Sequence, residues 1–300
     1  MSHVNQSHVS RSHVEREIAD QPDCWRRASE LDPAGLPEPG ERVAVIGCGT
    51  SLYVAQAYAA LREAAGHGET DAFPASEYPA DRRYDRLLAL SRSGTTTEVL
   101  TALARADRTP RTAITGDPTT PISAVADTVV DLAFADEESV VQTRFATTTL
   151  ALLRARLGHA PADLPAQAER ALAADLPEGA LDARQFTFLG TGWTVGLAHE
   201  AALKLREASG SWTESYPAME YRHGPISVTA PDTVVWFFGE PPAGLLDQVR
   251  EIGATTSVTG LDPLADLIRA QRLAVELAKA RGLDPDRPRH LTRSIVLTRP

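Results

Sequence analysis

The sequence predicts an α/β protein built on two doubly wound parallel sheets, and three observations carry that expectation. Short, wholly apolar runs are bounded by glycine or by Ser/Thr clusters, as in strands buried on both faces. Helical stretches separate them, which calls for parallel pairing through crossover helices. The same plan recurs in the second half of the 300 residues, a length that permits two units of about 150 residues each.

The elements follow in order. Residues 1–14 repeat Ser-His-Val at Ser2, Ser7 and Ser12. This segment has no apolar face, so it reads as a disordered tail and not as a histidine metal site. Glu17 to Arg27 has the period of a short amphipathic helix. Arg42-Val-Ala-Val-Ile46 is the first buried strand; Gly47-Cys48-Gly49-Thr50-Ser51 follows, then a helix from Leu52 to about Ala65. Arg86 to Leu90 is the second strand, ending in Ser91-Arg92-Ser93-Gly94-Thr95-Thr96-Thr97 and another helix. Thr112–Gly116 and Thr128–Leu132 complete the first set of strands, and Thr143–Leu157 reads as a long helix. A helix between Pro161 and Leu181 leads into the second half. There Phe186–Gly190, Thr233–Phe238 and Thr255–Gly260 read as strands, and Val195–Ser209 and Pro263–Arg281 as helices. The expected organisation is a tail over 1–14, a first domain over 15–160, a second over 161–285 and a C-terminal tail over 286–300.

Composition narrows the function classes. A net charge of −10 disfavours non-specific binding to nucleic acid, whose phosphates reward clustered Lys and Arg. No apolar run approaches the ~20 residues needed to span a bilayer, and the polar N-terminus has no signal-peptide core. The two cysteines, Cys24 and Cys48, form no CxxC pair and suit a reducing compartment. A cytoplasmic enzyme without metal or cofactor is the expectation. Basic residues are nearly all arginine; the two lysines are Lys204 and Lys279.

In open α/β sheets ligands bind beyond the carboxyl ends of the strands. Two loops occupy such ends here. Gly47 to Ser51 offers small residues that let backbone amides approach an anion at a helix start. It also resembles the opening of a dinucleotide loop, but the glycine fingerprint is incomplete and no ribose-binding acid follows, which argues against an oxidoreductase. Ser91 to Thr97 holds five hydroxyl residues directly after a buried strand, a density that packing does not explain. Together they suit a phosphate. In the second half, Glu200, Lys204 and Glu207 share one helix face at spacings of four and three. Such spacing commonly marks a solvated salt-bridge face. A buried Glu-Lys-Glu set would instead point to tuned acid-base chemistry.

These motifs resemble the sugar isomerase (SIS) domain family, in particular the isomerase half of glucosamine-6-phosphate synthase and stand-alone aminosugar-phosphate isomerases and deaminases. The resemblance runs from about Glu15 to the end. It takes in Gln21-Pro22, the two loops, Ser139-Val-Val-Gln-Thr-Arg-Phe145, Glu200 to Glu207 through His223-Gly-Pro225, and Pro288-Arg-His-Leu-Thr-Arg293. It implies two flavodoxin-like SIS domains with the C-terminal tail closing the site. It places Ser51, Ser91, Arg92, Ser93 and Thr96 on the phosphate, and Thr50, Val140, Glu200 and Arg293 around the sugar. Glu207 matches the base that removes the C2 proton, Lys204 a lysine assisting it, and His223 the ring-opening histidine, often supplied by a neighbouring protomer. A homodimer is therefore expected.

Two departures bear on the reaction. The N-terminus leaves no room for a glutaminase domain, so glutamine-dependent synthesis is not expected. Arg293 stands where the family carries a Schiff-base lysine, and arginine stays protonated at neutral pH. The expected substrate is glucosamine 6-phosphate or N-acetylglucosamine 6-phosphate, with isomerisation or deamination and C3-hydroxyl elimination both open. A non-catalytic sugar-phosphate sensor is the alternative; no helix-turn-helix segment accompanies it.

Overall fold

The computed structural model describes residues 11–106 and 108–297. Most of the Ser-His-Val repeat, with Ser2 and Ser7, lies outside the described residues. The expected tail also ended too late. Ser12 caps a helix α1, His13–Ala19, by a reciprocal bond with Glu15, so the chain is already helical by residue 13. The single helix expected over Glu17–Arg27 is instead the end of α1 and a second helix α2, Gln21–Glu30, broken at Asp20 ahead of Pro22.

Five strands make the first sheet: β1 (Val43–Gly47), β2 (Thr70–Pro74), β3 (Arg86–Ser91), β4 (Arg111–Thr115) and β5 (Thr128–Asp131). Their order is β2-β1-β3-β4-β5 and every pairing is parallel. Four strands make the second: β6 (Gln185–Gly190), β7 (Trp212–Pro217), β8 (Thr233–Phe238) and β9 (Thr255–Ser257), in the order β7-β6-β8-β9, again parallel. The helices are α3 (Thr50–Ala64), α4 (Thr97–Arg105), α5 (Ile122–Val125), α6 (Arg144–Arg156), α7 (Leu164–Ala173), α8 (Thr194–Ser209), α9 (Leu245–Ile252) and α10 (Pro263–Ala280). None is long and apolar enough to cross a membrane.

Alternate residues along each strand feed different cores, as the two-residue period requires. In β1 and β3, Val43, Val45, Leu88 and Leu90 face a large apolar cluster that both sheets share with α2, α3, α6, α8 and α10. Ala44, Ile46, Leu87 and Ala89 face a separate cluster closed by α4. In the second sheet, Leu189, Val235 and Phe237 face an outer cluster under α9. The shared inner cluster brings α3 against α8 at Gly196. A Cβ there would stand 2.5 Å from the Tyr53 carbonyl oxygen and 2.9 Å from Ala57 N. Only glycine permits so close a crossing.

Candidate functional site

Strand order reverses at β1 and at β6, so the helices after them, α3 and α8, start at the switch points where ligands bind in such sheets. Gly49 turns the chain into α3 with φ of +53°, a conformation that favours glycine. Gly47 cannot bear a side chain either, because a Cβ would meet Ser51 at 2.6 Å. The loop after β3 is self-organised: Ser91 Oγ accepts from Gly94 N (3.2 Å), and Ser93 Oγ accepts from Thr95 N (3.3 Å). Together the two loops line a small hollow that includes Ser51, Ser91, Arg92, Ser93, Thr96 and Arg293. All five phosphate candidates therefore converge.

Arg92 takes a particular position among them. Its side chain is 1% exposed, and its guanidinium donates to the carbonyls of Ser139 (2.7 Å) and Arg293 (2.8 Å). Burial pulls its pKa down. It thus ties the hollow's wall to the segment carrying Val140 and to the C-terminal tail. That tail continues along α4: Ser294 Oγ accepts from Thr95 Oγ1 (3.0 Å), and the Ile295 carbonyl accepts from Thr97 N (3.1 Å). The Arg293 guanidinium forks onto both oxygens of Asp136 at 2.7 Å and donates to the Glu137 carbonyl.

On α8, Lys204 is 1% exposed and bridges the halves of the molecule. Its Nζ donates to Thr50 Oγ1 (2.9 Å) in the first loop and to Glu207 Oε2 on its own helix. Glu200, also 1% exposed, has Oε1 3.7 Å from the same ammonium. The spacing of four and three is therefore a buried cluster and not a solvated face. Burial drives the Glu200 pKa up to about 8, with Lys204 opposing and Glu207 adding to the rise. Burial works against the charge on Lys204, but Glu200 and Glu207 outweigh it and hold its pKa above the ordinary value. Lys204 is thus held as a cation between two carboxylates, of which Glu207 is the more exposed.

No protein-family model matches the chain. Curated relatives do: it is 27% identical over 86% of its length to the glutamine–fructose-6-phosphate aminotransferase (isomerizing) of Gloeobacter violaceus, and 28% identical over 89% to that of Thermus thermophilus. It spans 52% and 54% of those relatives, about half of each. Among solved structures, the glucosamine-6-phosphate deaminase of Thermotoga maritima matches with a TM-score of 0.79 at 26% identity, covering 95% of this chain and 100% of that one. The C-terminal domain of the glucosamine-fructose-6-phosphate aminotransferase of Francisella tularensis matches at 0.81 and 20% identity, over 93% and 99% of the two chains. The fold is that of the SIS proteins. The tagatose-6-phosphate ketose/aldose isomerase of Escherichia coli shares it, with a TM-score of 0.72 at 19% identity over 96% and 97% of the two chains.

Within this chain, Thr50, Glu200, Lys204 and Glu207 form one connected set, and Ser51 joins it to the hollow. Val140 is half-buried in the segment between β5 and α6. His223 is not brought to Glu207. It lies exposed on the loop after β7, and among the described residues its ring has no hydrogen-bond partner. Sequence reasoning missed two buried acids that shape the Val140 segment. Glu17 accepts from Glu138 N (2.6 Å) and Ser139 N (3.1 Å), a contact across 121 residues that no local pattern signals. Glu137 Oε1 accepts from Thr143 N (2.6 Å) and Arg144 N (2.8 Å), covering the start of α6, while burial raises its pKa. Its place two residues before Ser139, inside the acidic run 136–138, was the only available signal. Among the described residues no cluster of His, Cys, Asp and Glu suits a metal ion.

Proposed function

We propose that the chain is a sugar-phosphate enzyme acting on glucosamine 6-phosphate or N-acetylglucosamine 6-phosphate by C2 proton abstraction. The observation that carries this reading is the Lys204 ammonium, held between Glu207 and the Thr50 hydroxyl of the phosphate loop. It fixes a base at a set reach from an anion site. The amino-sugar substrate is drawn from the Thermotoga neighbour, which is named a glucosamine-6-phosphate deaminase.

On this reading the hydroxyls of Ser51, Ser91, Ser93 and Thr96 and the amides at the starts of α3 and α4 hold the phosphate. The exposed His223 ring comes from a second copy of the chain and moves the protons of ring opening, so the working form is a homodimer. Glu207 then takes the C2 proton; the C–H electron pair passes to the C1 carbonyl, and the enolate, with its nitrogen on C2, forms beside the Lys204 charge. Reprotonation at C1 gives isomerisation and, with an amine on C2, loss of ammonia on hydrolysis. With an N-acetyl group on C2, the C3 hydroxyl is the better leaving group and water is eliminated. Arg293, fixed by Asp136 at the rim, supplies positive charge and no imine. Each sheet with its helices is read as one SIS domain, the C-terminal tail as the site's cover and the cytoplasm as its setting.

The test is incubation of the purified protein with each hexosamine phosphate and with fructose 6-phosphate, followed by NMR. Conversion of at least one supports the reading and identifies the exit. Binding of all three without turnover makes the protein a sensor; neither binding nor turnover removes the substrate class.

A further inference from the structure

A cavity of about 800 Å³ lies apart from the phosphate hollow. It is lined by Glu207 and lies between the last turns of α8 and the segment 281–291, and it is of a size that takes a small-molecule group. Its charge is lopsided. Arg206, Arg281, Arg287, Arg289 and His290 line it against Glu207 and Asp284. Two of these arginines are spent on the fold: Arg206 donates to the Thr213 carbonyl and hydroxyl, and Arg281 to the Ser209 carbonyl and Ser211 Oγ. Glu207 is taken by Lys204. Arg287 and Arg289 have no ion pair and no side-chain hydrogen bond among the described residues. Next to them His290 holds a left-handed backbone with φ of +63°, the one such non-glycine residue among those described. Such backbone is uncommon outside glycine and clusters at ligand sites.

We propose that this cleft is an anion subsite, in which Arg287 and Arg289 bind a carboxylate. With Glu207 as the base, which this inference takes from the reading above, a sugar phosphate seated in the hollow has its C2 at the cleft mouth. A substituent on C2 then projects towards the two guanidiniums, whose planar donor pairs match a carboxylate. The substrate class becomes a sugar phosphate with a carboxylate on its C2 nitrogen, unless the carboxylate is a separate small ligand.

Calorimetric titration separates the two sources, using glucosamine 6-phosphate, its N-carboxymethyl derivative and free malonate. The wild type and an Arg287→Gln/Arg289→Gln double variant are compared, with melting temperature verifying the variant's fold and an Arg→Lys pair as the charge-retaining control. The expected result is that the N-carboxymethyl compound binds the wild type ~10-fold tighter than glucosamine 6-phosphate, and that the double variant loses this margin. Equal binding of the two sugars, with malonate binding the wild type and not the double variant, supports the subsite with a separate ligand. Equal binding of the sugars and no arginine-dependent malonate binding overturns it. Failure of glucosamine 6-phosphate to bind at all counts against the proposed function alone, since the malonate arm still reads the subsite.

Discussion

Gly196→Ala tests whether the crossing of α3 and α8 sets the distance between the loop after β1 and Glu207, the proposed base. The added methyl meets the Tyr53 carbonyl at 2.5 Å, the Ala57 amide nitrogen at 2.9 Å and the Ala57 methyl at 2.9 Å. Two of these are backbone atoms, so no rotamer change relieves the clash and the helices must separate. Overpacking of this kind costs about 1–3 kcal/mol. For a chain of this size each kcal/mol moves the melting temperature by about 2–4 °C, so a fall of roughly 2–12 °C is expected. The same separation stretches the 2.9 Å bond from Lys204 Nζ to Thr50 Oγ1, which joins the two helices across the crossing. Turnover should therefore fall further than the folded fraction does, when both are measured at a temperature where the variant is folded. A variant with unchanged melting temperature and unchanged kcat refutes the claim that this contact fixes the site. A lower melting temperature with unchanged kcat refutes only the coupling.

Glu200→Gln should show a pH-dependent gain in stability. The folded pKa of about 8 stands above the ordinary 4.5, so the native state holds the proton more tightly than the unfolded chain does. The wild type's stability from this group is full below 4.5 and declines as pH rises towards 8, on the order of a few kcal/mol in all. Glutamine removes that decline, so thermal denaturation of the pair from pH 5 to pH 9 should show a variant advantage that grows and then levels. Ser51→Ala and Thr96→Ala should each weaken binding of inorganic phosphate roughly 10- to 150-fold by calorimetry, the worth of one hydrogen bond to a charged group. Unchanged affinity in both would place the anion elsewhere.

Much of the fold was legible because buried parallel strands advertise themselves: Arg42–Ile46, Arg86–Leu90, Phe186–Gly190 and Thr233–Phe238 are all strands within a residue or two of their expected bounds. The two strands not anticipated, β2 and β7, occupy the same place in their sheets, at the edge beside the first strand. Thr70-Asp-Ala-Phe-Pro and Trp212-Thr-Glu-Ser-Tyr-Pro have one neighbour each and end in proline, which an edge tolerates, so neither needs an apolar run. The site divided in the same way. Loop hydroxyls and the spacing of Glu200, Lys204 and Glu207 are local features and were readable. The buried state of that set depends on Thr50 arriving from 154 residues away, and the grip of Glu17 on Ser139 spans 122. Periodicity carries no record of such contacts. Arg92, expected on the phosphate, lines the hollow but spends its guanidinium on two carbonyls, because burial without them would leave five donors unmatched.

The central claim is that Glu207 removes a proton from C2 of a bound sugar phosphate. It is tested most directly by incubating glucosamine 6-phosphate and N-acetylglucosamine 6-phosphate in D2O with the wild type and with Glu207→Gln, following the C2 proton by NMR. The account predicts that the wild type replaces this proton with deuterium or converts the sugar. It also predicts that the variant does neither while still binding the ligand. Exchange at the wild-type rate in Glu207→Gln would contradict it.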